Sequence, residues 1–357
     1  MYGFSVFVNE ELTQETLAYM EAMAKSGFRG IFTSIHIPED DDSKYLNGLQ
    51  KLGTFARENE MELVVDISGT ALERLGYSLG NVKPLVEMGL TGIRIDYGIS
   101  METVADLSHQ MNVALNASTI SARDLDELKS YGADFSRMEA WHNYYPRPET
   151  GLDEIPFQKQ NQVLKAAGFQ VMAFVPSDEK KRGPLHMGLP TLEKHRDMNP
   201  LGAALELVKA YDVDKVYIGD PEISERLREQ FHLYMEENTI LFHATSLLSE
   251  WDQHADRVAG RHRNRMDSAR DVVRSEESRL QAKGPIEQGL TMKRSIGSIT
   301  MDNDGYGRYA GEIQITKRSL PEDERVNVIG RIDEQELSLL EFCGPGQLFE
   351  IRWEERE

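Results

Sequence analysis

The chain has 357 residues, a formal net charge of −20 and a sequence pI near 5.0. This charge repels phosphate backbones and anionic lipids, so we expect neither a nucleic acid nor a membrane as partner. The single cysteine, Cys343, excludes an intramolecular disulfide and a zinc site built on several thiolates. The length suits one barrel-sized domain and a smaller unit.

Apolar stretches alternate with helical stretches through the first two-thirds of the chain. The predicted strands lie near residues 4–8, 30–37, 62–67, 91–96, 111–116, 133–139, 169–175 and 214–219. Four of the intervening helices end on a glycine, which stops a helix at low steric cost: Gly27, Gly89, Gly132 and Gly168. Eight such units predict an α/β fold of the TIM-barrel type, with a doubly wound open sheet as the alternative.

Polar residues share one face of several predicted strands. Asp66, Asp96 and Glu139 are predicted at the carboxyl ends of strands three, four and six, where barrel enzymes assemble their sites. His36 and Asn116 lie on the same inward faces of strands two and five. A buried charge is costly unless it is paired, so the alternative is a buried network in which these groups satisfy one another.

The predicted loop after strand six combines aromatic faces with hydrogen-bonding groups. Sugar rings present axial hydrogens to aromatic rings and hydroxyls to polar side chains, so this composition is typical of carbohydrate sites. The loop and its edge supply the candidates for substrate binding: Trp141, His142, Asn143, Tyr145, Arg147 and Glu149. The alternative is that these side chains are structural and hold the loop against the barrel.

The predicted loop after strand seven, residues 176–196, is long and cationic in an otherwise acidic chain. It contains Lys180, Lys181, Arg182, His186, His195 and Arg196. Because barrels often bind phosphate near strands seven and eight, we expect an anionic group there. No nucleotide-binding glycine loop or His-Glu-x-x-His motif is present. A divalent metal held by His36, Asp66 and Asp96 would instead give a lyase or aldolase.

The character of the sequence changes after the predicted barrel. Residues 235–285 are predicted to form an arginine-rich helical connector in which acidic residues nearly cancel the charge. From residue 286, short alternating strands separated by turn clusters predict a small, mostly antiparallel β domain that extends to residue 357.

Four segments carry a resemblance to a known family. They are His142-Asn-Tyr-Tyr-Pro-Arg-Pro-Glu-Thr-Gly-Leu152, Gly188-Leu-Pro-Thr-Leu-Glu193 with His195-Arg196, Arg265-Met-Asp-Ser-Ala-Arg270 and Arg325-Val-Asn-Val-Ile-Gly330. Through them the chain resembles the 6-phospho-N-acetylmuramidases, glycoside hydrolase family 170. The resemblance implies a TIM barrel over residues 1–234 and a cyclophilin-like domain over 286–357.

The same resemblance implies a cytosolic enzyme that acts in peptidoglycan recycling, and we expect it to need no cofactor. Its substrate would be a phosphorylated amino-sugar disaccharide, cleaved at the β-1,4 bond between 6-phospho-N-acetylmuramic acid and N-acetylglucosamine. A metal-dependent sugar-phosphate lyase or aldolase and a non-catalytic sugar-phosphate binding protein are the alternatives. The sequence leaves the oligomeric state open, and a homo-oligomer is compatible with it.

Catalytic roles follow from the predicted strand geometry. We expect Glu139 as the general acid, because the aromatic loop beside it would favour its protonated form, and Asp96 as the ionised partner. Asp66 is an alternative acid, or would act with Asp96 to orient the 2-acetamido group of the substrate. Arg147, His195 and Arg196 are the phosphate candidates, with the lactyl carboxylate competing for them. His36, Asn116 and His186 complete the predicted binding residues.

Overall fold

The computed structural model describes residues 1–8, 12–35, 42–67, 72, 76–95, 98–247 and 253–354. The predicted site residues His36 and Asp96 lie outside these ranges. The chain divides into two compact units, residues 1–228 and 229–357. This division and the predicted boundary at residue 234 fall within the same helix, Glu225–Glu237.

A closed barrel of eight parallel strands forms the first unit. Its strands are β1 (Tyr2–Ser5), β2 (Gly30–Ile35), β3 (Glu62–Ile67), β4 (Gly92–Ile95), β5 (Asn112–Asn116), β6 (Met138–Trp141), β7 (Gln170–Val175) and β8 (Lys215–Ile218). Each strand pairs with the next, and β8 pairs with β1 to close the cylinder. The predicted TIM barrel is therefore confirmed, and the open sheet is excluded.

Helices alternate with these strands. They are α1 (Gln14–Lys25), α2 (Asp42–Glu58), α3 (Lys83–Met88), α4 (Met101–Ser108), α5 (Ala122–Ser130), α6 (Glu154–Ala166), α7 (Pro200–Ala210) and α8 (Glu225–Glu237), with 3-10 helices at Phe135–Arg137 and Glu193–His195. Gly27, Gly89, Gly132 and Gly168 have φ of 100°, 113°, 72° and 98°. The predicted helix-stopping glycines are thus confirmed.

The start of β6 differs from the sequence prediction. The strand was expected over residues 133–139 but begins at Met138, after the 3-10 helix Phe135–Arg137. The carboxylate of Asp134 accepts hydrogen bonds from the backbone nitrogen and the hydroxyl of Ser136, at 3.0 and 2.6 Å. Such local bonding gives the backbone an alternative to the sheet. Glu139 is consequently the second residue of β6, and its predicted place at the carboxyl end is wrong.

The second unit is built on a seven-stranded sheet in the order β10-β15-β9-β14-β12-β13-β11. The strands are β9 (Thr239–Ser246), β10 (Gly260–Arg263), β11 (Val272–Arg274), β12 (Ser298–Asp302), β13 (Ile313–Thr316), β14 (Val326–Ile332) and β15 (Leu348–Trp353). Only β9 and β15 pair in parallel among these strands. The short helices are α9 (Gln253–Val258) and α10 (Ser278–Gln281), with 3-10 helices at Asp304–Tyr309 and Glu334–Phe342. The mostly antiparallel β domain is confirmed.

The predicted helical connector over residues 235–285 is wrong, because β9, β10 and β11 lie within it. Two of its arginines pair with carboxylates that are distant in the chain. Arg261 lies directly opposite Glu350 and contacts it at 3.1 Å, while Arg274 contacts Glu312 at 2.7 Å. Ion pairs within the segment, as expected from its charges, are formed by Arg265 with Asp267 and by Arg270 with Asp271. No helix within the described ranges has the length and apolarity needed to cross a membrane.

Candidate active site

Glu139 lies in a buried ion-pair cluster at the amino-terminal end of the barrel. Its Oε1 is 2.8 Å from Nζ of Lys215, and its Oε2 accepts a 2.6 Å hydrogen bond from Nε1 of Trp141. Lys215 also contacts Glu62 at 2.5 Å. Lys215 and Glu62 are the first residues of β8 and β3. The position of Glu139 therefore contradicts its expected role as general acid.

An apolar layer separates this cluster from the other end of the barrel. The layer consists of buried side chains from six strands: Phe32, Val64, Ala114, Trp141, Met172, Phe174 and Tyr217. Burial alone would lower the pKa of Lys215, but the carboxylates of Glu139 and Glu62 raise it. The lysine is thus held as a cation between two anions. Groups at this end of a TIM barrel serve stability rather than catalysis.

A second polar cluster lies at the carboxyl end of the barrel. Asp66, the fifth of the six residues of β3, accepts a hydrogen bond from Nη1 of Arg94 at 2.9 Å. The hydroxyl of Ser34 lies 3.5 Å from the same carboxylate oxygen. Nη2 of Arg94 donates to the side-chain oxygen of Asn143, just after β6. The structure thus brings together two predicted residues, Asp66 and Asn143, through an arginine that links their strands.

Tyr144 connects this cluster to the loop that follows β7. Its hydroxyl accepts a 2.7 Å hydrogen bond from Nη1 of Arg182, and its ring packs edge-on against Phe174. The guanidinium of Arg182 lies 3.9 Å above the ring centre of Phe7. Burial raises the pKa of Tyr144, although the charge of Arg182 opposes that rise. The phenol is therefore neutral and can accept this hydrogen bond.

A cavity of about 1050 Å³ lies beside Arg182. It is formed by the loops that follow β1, β7 and β8 and by the start of α1, all on the carboxyl side of the barrel. The described lining residues are Ser5, Val6, Phe7, Thr13, Glu15, Thr16, Tyr19, Glu179, Lys180, Lys181, Arg182, Gly183, His186, Pro221 and Glu222. Its size and mixed lining suit a polar ligand larger than a monosaccharide.

Asp220 holds the loop after β7 in place through hydrogen bonds to the backbone of that loop. This fully buried carboxylate accepts hydrogen bonds from the backbone nitrogens of Ser177, Arg182 and Leu189, at 2.9, 2.9 and 3.0 Å. Burial raises the pKa of Asp220, while the three backbone donors oppose that rise. The sequence analysis did not identify Asp220 as a site residue. Its position directly after the predicted strand eight was the signal that could have indicated it.

Arg196 holds two loops together and has few donors left for a ligand. Its guanidinium contacts both carboxylate oxygens of Glu193 at 2.7 Å. It also donates to the backbone carbonyls of Tyr145, Arg147, Met187 and Gly188. The hydrogen bonds from Arg196 lower the pKa of Glu193 to about 2. These contacts contradict a role for Arg196 in binding phosphate, because its donors already bind the protein.

Two predicted histidines lie between the barrel and its helices. His142 bonds Asn161 of α6 at 2.7 Å, and His195 bonds Glu206 of α7 at 2.8 Å. Both are almost completely buried, and burial lowers the pKa of each. Trp141 is also fully buried, within the apolar layer. Their predicted contacts with substrate are wrong, because all three side chains are buried within the protein and the direction of a side chain depends on neighbours that are distant in the chain.

The burial of His142 predicts a measurable pH dependence of stability. Its pKa falls from 6.5 to about 4 on folding, so the unfolded chain binds this proton more readily. The corresponding stability is present above pH 6.5 and is lost as pH falls towards 4, by about 3 kcal/mol. We expect the free energy of unfolding, measured in urea, to fall between pH 7 and pH 4 by about 3 kcal/mol more in the native protein than in the His142→Gln variant. Identical pH dependence in both proteins would contradict this.

The remaining predicted binding residues have varied positions. Asn116 is buried at the end of β5. Tyr145 is half-buried, and Arg147 and Glu149 are exposed in the loop after β6. None of these four is among the described residues that line the cavity, whereas His186 is. The described residues contain no group of three side chains suited to a metal. Since His36 and Asp96 lie outside the described ranges, the metal hypothesis stays a prediction.

Comparison with known proteins gives the relationship of the whole chain. The N-terminal 6-phospho-N-acetylmuramidase model matches residues 2–233, and the C-terminal model of that enzyme matches 244–352. A crystal structure of a conserved Enterococcus faecalis protein of unknown function is 48% identical, with a TM-score of 0.92, covering 99% of this chain and 96% of that one. An uncharacterized B. cereus protein is 27% identical, with a TM-score of 0.75, covering 98% of this chain and 99% of that one. Curated proteins gave no match. Because the two models together span nearly all of it, this chain belongs to the 6-phospho-N-acetylmuramidase family.

Proposed function

We propose that this protein is a cytoplasmic glycoside hydrolase of peptidoglycan recycling. Its substrate is 6-phospho-N-acetylmuramyl-N-acetylglucosamine, which it cleaves at the β-1,4 bond between the two sugars. The observation that carries the proposal is the match of both 6-phospho-N-acetylmuramidase models, in order, along one chain. The polar cluster at the carboxyl end of the barrel supports it, because enzymes with this fold work at that end.

Asp66 is the ionised group of this proposed reaction. Its contact with Arg94 favours the carboxylate over the neutral acid. Glycosidic cleavage passes through a transition state with positive charge on the sugar ring, which a fixed anion stabilises. The same anion can orient the 2-acetamido group of muramic acid for attack on its own anomeric carbon. Either role requires a charged Asp66 and a separate proton donor.

Asp96 is our candidate for that donor. It follows Arg94 by two residues in the sequence and lies outside the described ranges. The role reverses the expectation from the sequence, in which Asp96 was the ionised partner, because Asp66 is the carboxylate that contacts Arg94. Glu139 is excluded by its pairing with Lys215 below the apolar layer. Asn143 and Asn116 supply amide groups at the carboxyl ends of β6 and β5 for the sugar hydroxyls.

A direct assay tests the proposed reaction. The purified protein is incubated with the phosphorylated disaccharide, with and without a chelator, and the products are identified by mass spectrometry. We expect N-acetylglucosamine and N-acetylmuramic acid 6-phosphate at equal rates in both samples. An unchanged disaccharide would overturn the proposal. Breakdown that stops with the chelator would favour the metal-dependent lyase, and tight binding without cleavage would favour a binding protein.

A further inference from the structure

Arg182 is a half-buried cation with no carboxylate partner in the described part of the chain. Its side-chain contacts are the hydroxyl of Tyr144, at 2.7 Å, and the face of Phe7. A guanidinium has five N–H donors, and within the described residues the one side-chain hydrogen bond from Arg182 goes to Tyr144, while the residue lines the cavity. An anionic ligand in the cavity would supply the oppositely charged partner that none of the described residues gives to Arg182.

Lys181 lines the same cavity, and the other candidate cations of the described residues are paired or lie elsewhere. Lys180 pairs with Glu222 at 3.8 Å, and Arg196 is bound by Glu193 and backbone carbonyls. Arg147 is exposed and absent from the described lining, and His195 is buried against α7. With a net charge of −20, the protein can hold an anionic substrate only where cations are concentrated. Arg182 is the best placed of them.

The backbone around Arg182 is fixed before any ligand binds. Its nitrogen donates to Asp220, and the imidazole of His186 bonds the carbonyl of Lys181 at 2.8 Å. Arg196 anchors the far side of the loop through the carbonyls of Met187 and Gly188. A loop held in this way loses little conformational entropy on binding, so its charges contribute more to affinity.

We propose that Arg182 determines specificity by binding the 6-phosphate of the substrate, and that Tyr144 positions it. This inference rests on the proposed function. The planar guanidinium matches two phosphate oxygens at once, and the neighbouring Lys181 adds positive charge at the same cavity. The charges of Asp66 and Arg94 also act on the pKa of Tyr144, the first raising it and the second lowering it. Tyr144 directly follows Asn143, which accepts the hydrogen bond from Arg94, so the residue that positions Arg182 adjoins the cluster that we assign to catalysis.

The test compares the disaccharide with and without its 6-phosphate. We expect Arg182→Ala to lower kcat/KM on the phosphorylated substrate roughly 10- to 100-fold, mainly through KM, and to leave the unphosphorylated substrate nearly unchanged. Arg182→Lys should restore part of the loss, because it keeps the charge but not the two-pronged geometry. Tyr144→Phe should lose part of the discrimination although the cation remains.

Arg123→Ala is the matched control, because it removes an exposed arginine from α5. This variant should leave kcat/KM unchanged on both the phosphorylated and the unphosphorylated disaccharide. Equal losses on both substrates in Arg182→Ala would assign Arg182 to the lactyl carboxylate or to folding and would overturn the inference, as would no loss at all.

A binding measurement separates failure of this inference from failure of the proposed function. Inorganic phosphate should raise the melting temperature of the native protein and of Arg123→Ala but not of Arg182→Ala. If the native protein cleaves neither disaccharide, the proposed function fails, and this phosphate effect alone decides the inference. Stabilisation of all three proteins to the same extent would overturn it.

Discussion

Asp66→Asn is expected to lower turnover of the phosphorylated disaccharide by roughly 100- to 10,000-fold, the range typical of a lost catalytic acid or base. The change removes the negative charge that we assign to the transition state. The asparagine keeps a carbonyl oxygen that can accept the hydrogen bond from Arg94, so the local geometry has a substitute partner. The loss should therefore appear in kcat more than in KM.

The measurement is steady-state kinetics on the folded variant, with circular dichroism to verify folding. Asp126→Asn, an exposed position on α5, removes the same charge from the same unit and should keep native activity. Asp66→Glu keeps the negative charge but displaces it. Its turnover should lie between that of Asp66→Asn and that of Asp126→Asn. If Asp66→Asn retains activity within a factor of about three, Asp66 has no catalytic role of the kind we propose.

Lys215→Met is expected to cost about 3–5 kcal/mol in the free energy of unfolding, as is typical when one member of a buried ion pair is removed. The lysine side chain is 6% exposed and Glu139 is 4% exposed. Without Lys215, the carboxylate of Glu139 stays buried without a cation, and Glu62 loses a contact at 2.5 Å. The apolar methionine cannot replace either interaction.

Urea unfolding measures this cost, with Lys129→Met, exposed on α5, as the matched control. The double variant Lys215→Met/Glu139→Leu should be more stable than Lys215→Met alone, because it removes the stranded charge. Glu139→Gln should likewise change stability more than the turnover of the folded protein. Full stability of Lys215→Met, or a specific loss of turnover in Glu139→Gln, would show that this cluster has a different role.

The barrel was predictable because its signals are local. Gly27, Gly89, Gly132 and Gly168 stop helices through their own backbone freedom, whatever the rest of the chain does. The apolar runs that follow have the length of buried strands. The start of strand six was predicted too early, because Asp134 accepts hydrogen bonds from Ser136 and the strand begins only after this local turn. That shift of a few residues moved Glu139 from the expected mouth to the opposite end of the barrel.

The candidate site was predictable only in its chemistry. The loops after β6 and β7 contain the expected aromatic and cationic residues, but their directions depend on neighbours far away in the chain. Arg196 binds Glu193 and four carbonyls, whereas Arg182 faces the cavity, and both occur in the same cationic loop. Their spacing in the sequence contains no information that distinguishes these roles.

The sequence by itself determined the alternating helices and strands of the first unit, the β-rich character of the chain from residue 286 and the family, whereas the pairing of β8 with β1 that closes the barrel is seen only in the structure. Each depends on local backbone preferences, on the periodicity of apolar residues or on motifs that are continuous in the chain. The tertiary structure alone decided that Glu139 pairs with Lys215, that Asp66 pairs with Arg94, and that Arg182 lies on Phe7 beside the cavity. The physical reason is that the energy of a buried charge is set by the partner that folding brings to it, and that partner is 28 to 175 residues away in these three contacts.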